Sequence, residues 1–506
     1  MGKYKYKSNA LKEAVKSSVD ILKKGLETSK RVAEELKQKY IIYKYKTTPA
    51  FKKAKEVPED ILKESLDTSK QIGGQIREQY KKAYKYWGAL GPGLTTGAAD
   101  DDPSGIATYS QTGAKYGFQL LWLSIFTFPL MSIVQEMCAR IGIVTGRGLA
   151  ANIRAHFPLP IIYICTLLLL VANVFNLGVD LGAMAKSTQL VFPQFSFIAL
   201  LLFFTAVSLG LQIFTTYPQY AKYLKYLALV LFSYVFSVLV IKNLDWSNIL
   251  QHAVIPSISF TKDQIILITA ILGTTISPYL FFWQTSQEVE QLKSGRGEFH
   301  VKSREAGMRN TEELKHEIRE MRVDVWSGMF ISNLIMFFII VATAATLFSN
   351  GITGITTAQD AAAALRPIAG EQAYLLFTIG IVGAGLLAVP ILAGSASYAL
   401  SESLKIRAGL DYKPKDAPIF YGIIILAMLI GFGINFLGID TIKALIYSAI
   451  INGLIAPFIL FLIVKISSDP MIMGIKTNHP LISGLGWFVT GLMAIVGLVT
   501  IVALMI

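Results

Sequence analysis

The chain has 506 residues, 53% hydrophobic and 16% charged, with a mean hydropathy of +0.50. A soluble protein of this length does not carry that much apolar surface, and several runs exceed the roughly 18–20 residues that cross a bilayer, so the composition predicts an all-α integral membrane protein. The formal net charge of +13 is concentrated in residues 1–88, which hold 22 Lys and Arg against 11 Asp and Glu.

Residues 1–84 read as a basic cytoplasmic extension. Met1-Gly2-Lys3-Tyr4-Lys5-Tyr6 has no apolar region, so no signal peptide is expected. Asp20-Ile21-Leu22-Lys23, Leu26 and Thr28-Ser29-Lys30 recur 40 residues later as Asp60-Ile61-Leu62-Lys63, Leu66 and Thr68-Ser69-Lys70. Each copy has helical apolar spacing and Lys-rich flanks, the pattern of an amphipathic helix. Gly73-Gly74 weakens the second copy. Such helices predict contact with anionic lipid headgroups or with a cytoplasmic protein; the bland alternative is a solvated hairpin. The Lys-Tyr alternation at the start is not read as a nucleic-acid site.

Residues 85–506 read as a transmembrane domain with about eleven spans, at 88–112, 118–141, 158–190, 196–214, 219–242, 263–289, 323–349, 372–404, 418–436, 440–466 and 483–506. Arg140, Arg147, Arg154, Lys222, Lys225, Lys405, Arg407, Lys413, Lys415, Lys465 and Lys476 then fall on one side, and few cations on the other. The positive-inside rule puts the N-terminus in the cytoplasm and Ile506 outside, in a plasma-membrane protein. Residues 290–322 read as a solvated cytoplasmic linker, with Asn310-Thr311-Glu312-Glu313 capping a short helix through Arg322. Cys138 and Cys165 fall in spans and form no disulfide framework.

Two spans are interrupted. In the first, Gly97-Ala98-Ala99-Asp100-Asp101-Asp102-Pro103-Ser104-Gly105 puts three carboxylates and a proline inside an apolar run. An Asp at the bilayer centre costs roughly 2.5–3.5 kcal/mol on insertion scales, so three in a row belong to an unwound segment that faces protein or a watery cavity. In the sixth, Gly273-Thr274-Thr275-Ile276-Ser277-Pro278-Tyr279 replaces aliphatic residues with hydroxyls and a proline. Breaks five spans apart predict a transporter of the inverted-repeat type, spans 1–5 mirrored by 6–10, with its site between the breaks. Carboxylates, hydroxyls and unwound carbonyls make an oxygen-rich site for a hard cation. Asp102 is the leading ligand, with Thr274, Thr275, Ser277 and Asp101 as further candidates; Asp100 and Asp101 are read as partly solvated in a vestibule, and back-bonding to the preceding turn is the alternative for Thr274 and Ser277. Pro103, Ser104, Gly105 and Pro278 shape the breaks.

With those residues in view, the chain from about residue 85 onward resembles the Nramp family of divalent metal transporters. The resemblance is carried by Gly91-Pro92-Gly93-Leu94, by Asp102-Pro103, and by Ala139-Arg140-Ile141-Gly142-Ile143-Val144-Thr145-Gly146. It implies the eleven-span LeuT-type inverted repeat, with spans 1 and 6 broken. Against the family's Asp-Pro-Gly-Asn, this chain has Asp102-Pro103-Ser104-Gly105, and the Asn ligand is lost at Gly105. Against Ala-x-x-Met-Pro-His, Thr274 takes the Ala position, Ser277 the Met position and Tyr279 the His position, while a second His falls near Gln284. Losing a soft thioether and gaining hydroxyls favours hard ions, and a roomier site suits a Mg2+ ion that keeps its waters. The departures are therefore similar to the Nramp-related magnesium transporter branch, with Mn2+ as a second substrate.

The resemblance also implies proton-carrying groups, and these are thinned out. All five histidines, His156, His252, His300, His316 and His479, fall in predicted loops. Asp180 in span three is a relay remnant or, preferred, half of a packing ion pair with Lys186. Asn452 in span ten could line the path or bond between helices. The expectation is uncoupled Mg2+ import by alternating access, with no resident cofactor and the metal as substrate. The alternative is a proton-coupled Mn2+/Fe2+ symporter. A sodium-coupled amino-acid carrier is disfavoured because three aspartates would repel a carboxylate substrate. A membrane hydrolase lacks a nucleophile motif, and a tether would act only through residues 1–84.

Overall fold

A computed structural model describes residues 91–215, 229–242, 244–294 and 311–505, and all the regular structure among them is helical. The predicted N-terminal repeat lies outside the described residues. The chain order is α1 (Pro92–Asp100), α2 (Pro103–Tyr116), α3 (Trp122–Thr145), α4 (Leu159–Val191), α5 (Phe197–Phe214), α6 (Ser233–Val240), α7 (Lys262–Thr275), α8 (Pro278–Ser294), α9 (Thr311–Thr346), α10 (Ala373–Ser403), α11 (Pro418–Ile434), α12 (Thr441–Ser467) and α13 (Pro480–Met505). Shorter helices, including Leu149–His156, Trp246–Val254 and Ala358–Ala363, join them.

Among the described residues, eight helical segments are long and apolar enough to cross a membrane, and Val230–Val240 and Pro418–Ile434 are shorter apolar helices. The α7–α8 pair counts as one such segment, Lys262–Lys293. Large apolar side chains point outward, among them Phe203 on α5, Leu426 and Leu429 on α11, and Ile495 and Leu498 on α13. In a soluble protein such faces would be aggregation sites; here they suit lipid.

The short helix expected from Thr311 within the 290–322 linker is present, but it does not stop at Arg322. Helix α9 opens at Thr311 and runs unbroken to Thr346, which carries His316 onto its first turns instead of a loop. The physical reason is that Glu312-Glu313-Leu314-Lys315-His316-Glu317-Ile318-Arg319-Glu320 contains strong helix formers and no breaker before the apolar run.

The first predicted break is a change from one helix to another. Helix α1 ends at Asp101, with φ −84° and ψ 48°. Asp102 then adopts extended backbone, φ −66° and ψ 169°, and caps α2 with Pro103 at the first helical position. Asp at the N-cap and Pro after it are the preferred residues for starting a helix. The second break falls at Ile276 and Ser277, where α7 stops and α8 restarts at Pro278.

Helix α1 is held from its other end by α9. The Asp324 carboxylate accepts from the backbone N–H of Gly91 at 3.0 Å, Gly93 at 2.7 Å and Leu94 at 3.2 Å. Three otherwise orphaned helix donors thus share one buried acid. The two backbones also touch: a β-carbon on Gly97 would lie 2.3 Å from the Gly328 carbonyl oxygen. Gly97→Ala is therefore expected to push α1 off α9 and to cost about 1–3 kcal/mol of overpacking. A thermal melt in detergent reads this, and an unchanged midpoint would show that the contact yields freely.

Candidate functional site

Asp102 stands at the centre of the first break and divides its carboxylate between two tasks. Its Oδ1 accepts from the Gly105 N–H and the Ser104 hydroxyl, both at 2.7 Å, as the cap of α2. Its Oδ2 accepts from Asn176 Nδ2 at 3.0 Å, and the Tyr279 hydroxyl lies 3.5 Å away. Asn176 is fixed in turn, since its Oδ1 accepts from Ser448 of α12 at 2.6 Å. Tyr279 also donates to the Ala99 carbonyl at 2.9 Å, which ties α8 to the last turn of α1. Three elements, α4, α8 and α12, therefore set the Oδ2 side of one carboxylate, while α2 holds the Oδ1 side.

The second break supplies Thr274. Its hydroxyl is buried and has no hydrogen-bond partner. A β-carbon placed on Gly105 would lie 3.1 Å from Thr274 Oγ1, 3.2 Å from the Asp100 carbonyl oxygen and 3.4 Å from Asp102 Oδ1. The missing side chain at Gly105 thus leaves a space walled by three oxygens of different kinds. Ser277 donates back to the Gly273 carbonyl at 2.7 Å and the Thr274 carbonyl at 2.9 Å, so its proton serves the broken helix. Thr275 faces Tyr109, hydroxyl to hydroxyl at 3.2 Å.

The three aspartates part company. Among the described residues no group of three or more His, Cys, Asp or Glu side chains is arranged to hold a metal ion. Asp100 and Asp101 turn to Ser332 of α9, whose hydroxyl lies 2.5 Å from Asp100 Oδ2 and 3.3 Å from Asp101 Oδ1. Both are fully buried, so neither Asp100 nor Asp101 is in a solvated vestibule as expected. The reason is that the last turn of α1 lies against α9, where Ser332 offers one donor to two acids.

Asp180 on α4 is fully buried and within electrostatic reach of Asp102. Neither of its oxygens has a side-chain hydrogen-bond partner, and the nearest donor is the Ser104 backbone N–H. The ion pair expected with Lys186 does not form; Lys186 is exposed. Six residues along a helix rotate a side chain by about 600°, most of the way to the opposite face, so the pairing was sterically poor. Gln284 accepts from Thr96 at 2.6 Å and donates to Glu288 at 2.8 Å, which makes it part of a relay of polar groups between α1 and α8. Both amide atoms of Asn452 are buried without partners.

Sequence reasoning passed over Asn176, Ser448, Ser332 and Tyr109. The first had a readable signal: Asn173, Asn176 and Asp180 share one face of an otherwise apolar helix. The other three are ordinary polar residues until the fold brings them to the breaks.

Comparison with known proteins places this geometry in a family. The model described as "Nramp: Natural resistance-associated macrophage protein-like" matches residues 93–503. A divalent metal cation transporter MntH of Klebsiella pneumoniae is 23% identical over 411 residues, covering 80% of this chain and 91% of the relative. One from Erwinia tasmaniensis is 25% identical over 406 residues, covering 78% and 90%. Among solved structures, a manganese transporter of Eremococcus coleocola, in complex with an aromatic bis-isothiourea substituted compound, superposes with a TM-score of 0.63 at 16% identity, covering 82% of this chain and 86% of that one. The nucleobase-cation-symport-1 family transporter Mhp1, in a closed conformation, gives a TM-score of 0.51 at 14% identity, covering 82% and 91%. At these identities the structural likeness is one of fold, the LeuT-type architecture with its broken helices.

Proposed function

The chain belongs to the Nramp family, and from that premise we propose that it is a multi-pass transporter, not an enzyme, that carries Mg2+ into the cell by alternating access and tolerates Mn2+. The observation that carries this reading is the donor set around Asp102: Asn176, Ser104, Tyr279, Ser448 and the partnerless Thr274 hydroxyl. Every donor is an oxygen or an amide. Hard oxygen donors suit Mg2+, which gives up water reluctantly and is held by one or two carboxylates with several waters kept. Where the family pattern has a thioether, Ser277 stands, so the softness that selects transition metals is gone.

The driving force in this reading is the membrane potential. It supplies about 2.3 kcal/mol per charge per 100 mV, and about twice that for a divalent ion. The N-terminus is cytoplasmic and the C-terminus outside. Residues 1–84 bind anionic headgroups or a cytoplasmic protein.

A second reading, a proton-coupled Mn2+/Fe2+ symporter, has one observation in its favour. Asp180 is a buried acid with no side-chain partner, within electrostatic reach of Asp102, and could pass a proton. The deciding experiment measures Mg2+ and Mn2+ uptake into proteoliposomes that hold a pH dye. Mg2+ entry without acidification supports the first reading. Mn2+ entry with proton influx and no Mg2+ transport selects the second. As a finer check, Asp180→Asn is expected to leave the pH dependence of Mg2+ uptake unchanged if no proton is carried; loss of uptake together with lost pH sensitivity would favour the symporter.

A further inference from the structure

Asp100 and Asp101 are two carboxylates that the site around Asp102 does not use. Both are fully buried, and so is Ser332, whose single hydroxyl proton is shared between them at 2.5 Å and 3.3 Å. One proton serves only one acceptor at a time. Asp100 Oδ1 and Asp101 Oδ2 have no partner at all. No salt bridge to either carboxylate occurs among the described residues. The Tyr109 hydroxyl is within electrostatic reach of both acids and pairs with Thr275 at 3.2 Å. Asp100 ends α1, Asp101 caps it, and both carboxylates face the Ser332 hydroxyl of α9.

Two adjacent buried carboxylates repel each other and lose their hydration, a large cost unless a proton or a metal ion neutralises them. We infer that Asp100 and Asp101, with Ser332, form a second cation site, separate from that of Asp102, which takes a divalent ion. Charge decides the class: two carboxylates balance a divalent ion, whereas a monovalent ion would leave one buried charge unmatched. Donor type decides the chemistry, since carboxylate and hydroxyl oxygens suit Mg2+ or Mn2+ and not a soft ion. The site lies on the α1 side of the break and Asp102 opens the α2 side, so the two could hold an ion in succession. Successive sites of moderate affinity are how a permeating ion both enters and leaves. The inference rests on the reading that this chain moves divalent ions.

The test counts ions. The full chain in nanodiscs is dialysed to equilibrium against Mn2+, and separately against Mg2+, with bound metal read by atomic emission. Wild type is expected to hold about two ions, and the isosteric double variant Asp100→Asn/Asp101→Asn about one, with Asp102→Asn also about one. A wild-type count of one, an unchanged count in the double variant, or a count of zero in it overturns the second site; the unchanged count would mean that protons keep the pair neutral. Ser332→Ala guards against a double variant that fails to fold. It removes one donor and keeps both acids, and is expected to weaken the second ion about three- to tenfold while sparing the first. An unchanged second affinity in Ser332→Ala also overturns the proposal. Uptake keeps the two readings apart. Loss of uptake in Asp102→Asn with no effect of the double variant on the count would leave the transport reading standing and this one fallen. A wild type that neither binds nor moves either ion would sink both.

Discussion

Asp102→Asn is expected to fold with α2 intact and to lose Mg2+ uptake by roughly 30-fold or more. Asn and Asp are equally good helix N-caps, so Oδ1 goes on accepting from the Gly105 N–H and the Ser104 hydroxyl. What disappears is the charge on the other oxygen. Removing one member of a buried charge interaction costs about 2–5 kcal/mol, which converts to at least that factor. The new amide also points its donors at Asn176 Nδ2, which in the wild type donates to Asp102 at 3.0 Å. Asn176 cannot simply turn over, because its oxygen accepts from Ser448 at 2.6 Å. Asp102→Ala is expected to lose the same uptake and, in addition, about 1 kcal/mol of helix capping. Initial uptake rates and thermal melts on the same preparations separate the two losses. An Asp102→Asn protein that transported within a few-fold of wild type would show that the ion does not need this charge, and the site would have to be sought elsewhere.

The positions of the breaks were legible because local chemistry fixes them. Asp102-Pro103 is a helix start by capping and by the fixed φ of proline, whatever surrounds it. Gly273 through Pro278 interrupts α7 for similar reasons. The direction of each aspartate was not legible, because it depends on residues far along the chain. Asp102 meets Asn176, 74 positions away, and Asp100 meets Ser332, 232 positions away. No spacing rule links such pairs. Ser277 shows a third kind of case. Its hydroxyl could face a substrate or bond to its own helix, and in this conformation the carbonyls of Gly273 and Thr274 take it. The start of α9 at Thr311 was legible from its capping pattern, but its continuation past Arg322 was not, because the polar segment and the apolar span were read as separate elements although no breaker lies between them. The apolar run set only where that helix enters the membrane.

Restoring the family pattern at both breaks should change which ion is preferred, but only if two residues change together. By the resemblance drawn from the sequence, Gly105 takes the place of the family's Asn and Thr274 that of its Ala. In the structure these two positions face each other: a β-carbon on Gly105 would come within 3.1 Å of Thr274 Oγ1 and 3.2 Å of the Asp100 carbonyl. The threonine hydroxyl thus occupies the space that an asparagine would need, and one substitution explains the other. Gly105→Asn alone is expected to crowd the break and cost about 1–3 kcal/mol. Adding Thr274→Ala removes the nearest of those atoms and should recover most of that loss, so the two effects are not additive. Adding Ser277→Met then supplies the soft sulfur that discriminates against Mg2+. The triple variant Gly105→Asn/Thr274→Ala/Ser277→Met is expected to raise the Mn2+ to Mg2+ uptake ratio by about tenfold or more, the equivalent of ~1.4 kcal/mol between the two ions. The measurement is competitive uptake of both ions into one set of proteoliposomes, with melting curves for the single, double and triple variants. Recovery of stability in the double variant without any change of ratio in the triple one would mean that Gly105 and Thr274 are a packing pair and that selectivity is set by the hydrated path to the site. A rise in the ratio would place the preference for hard ions in the three positions where this chain departs from its family.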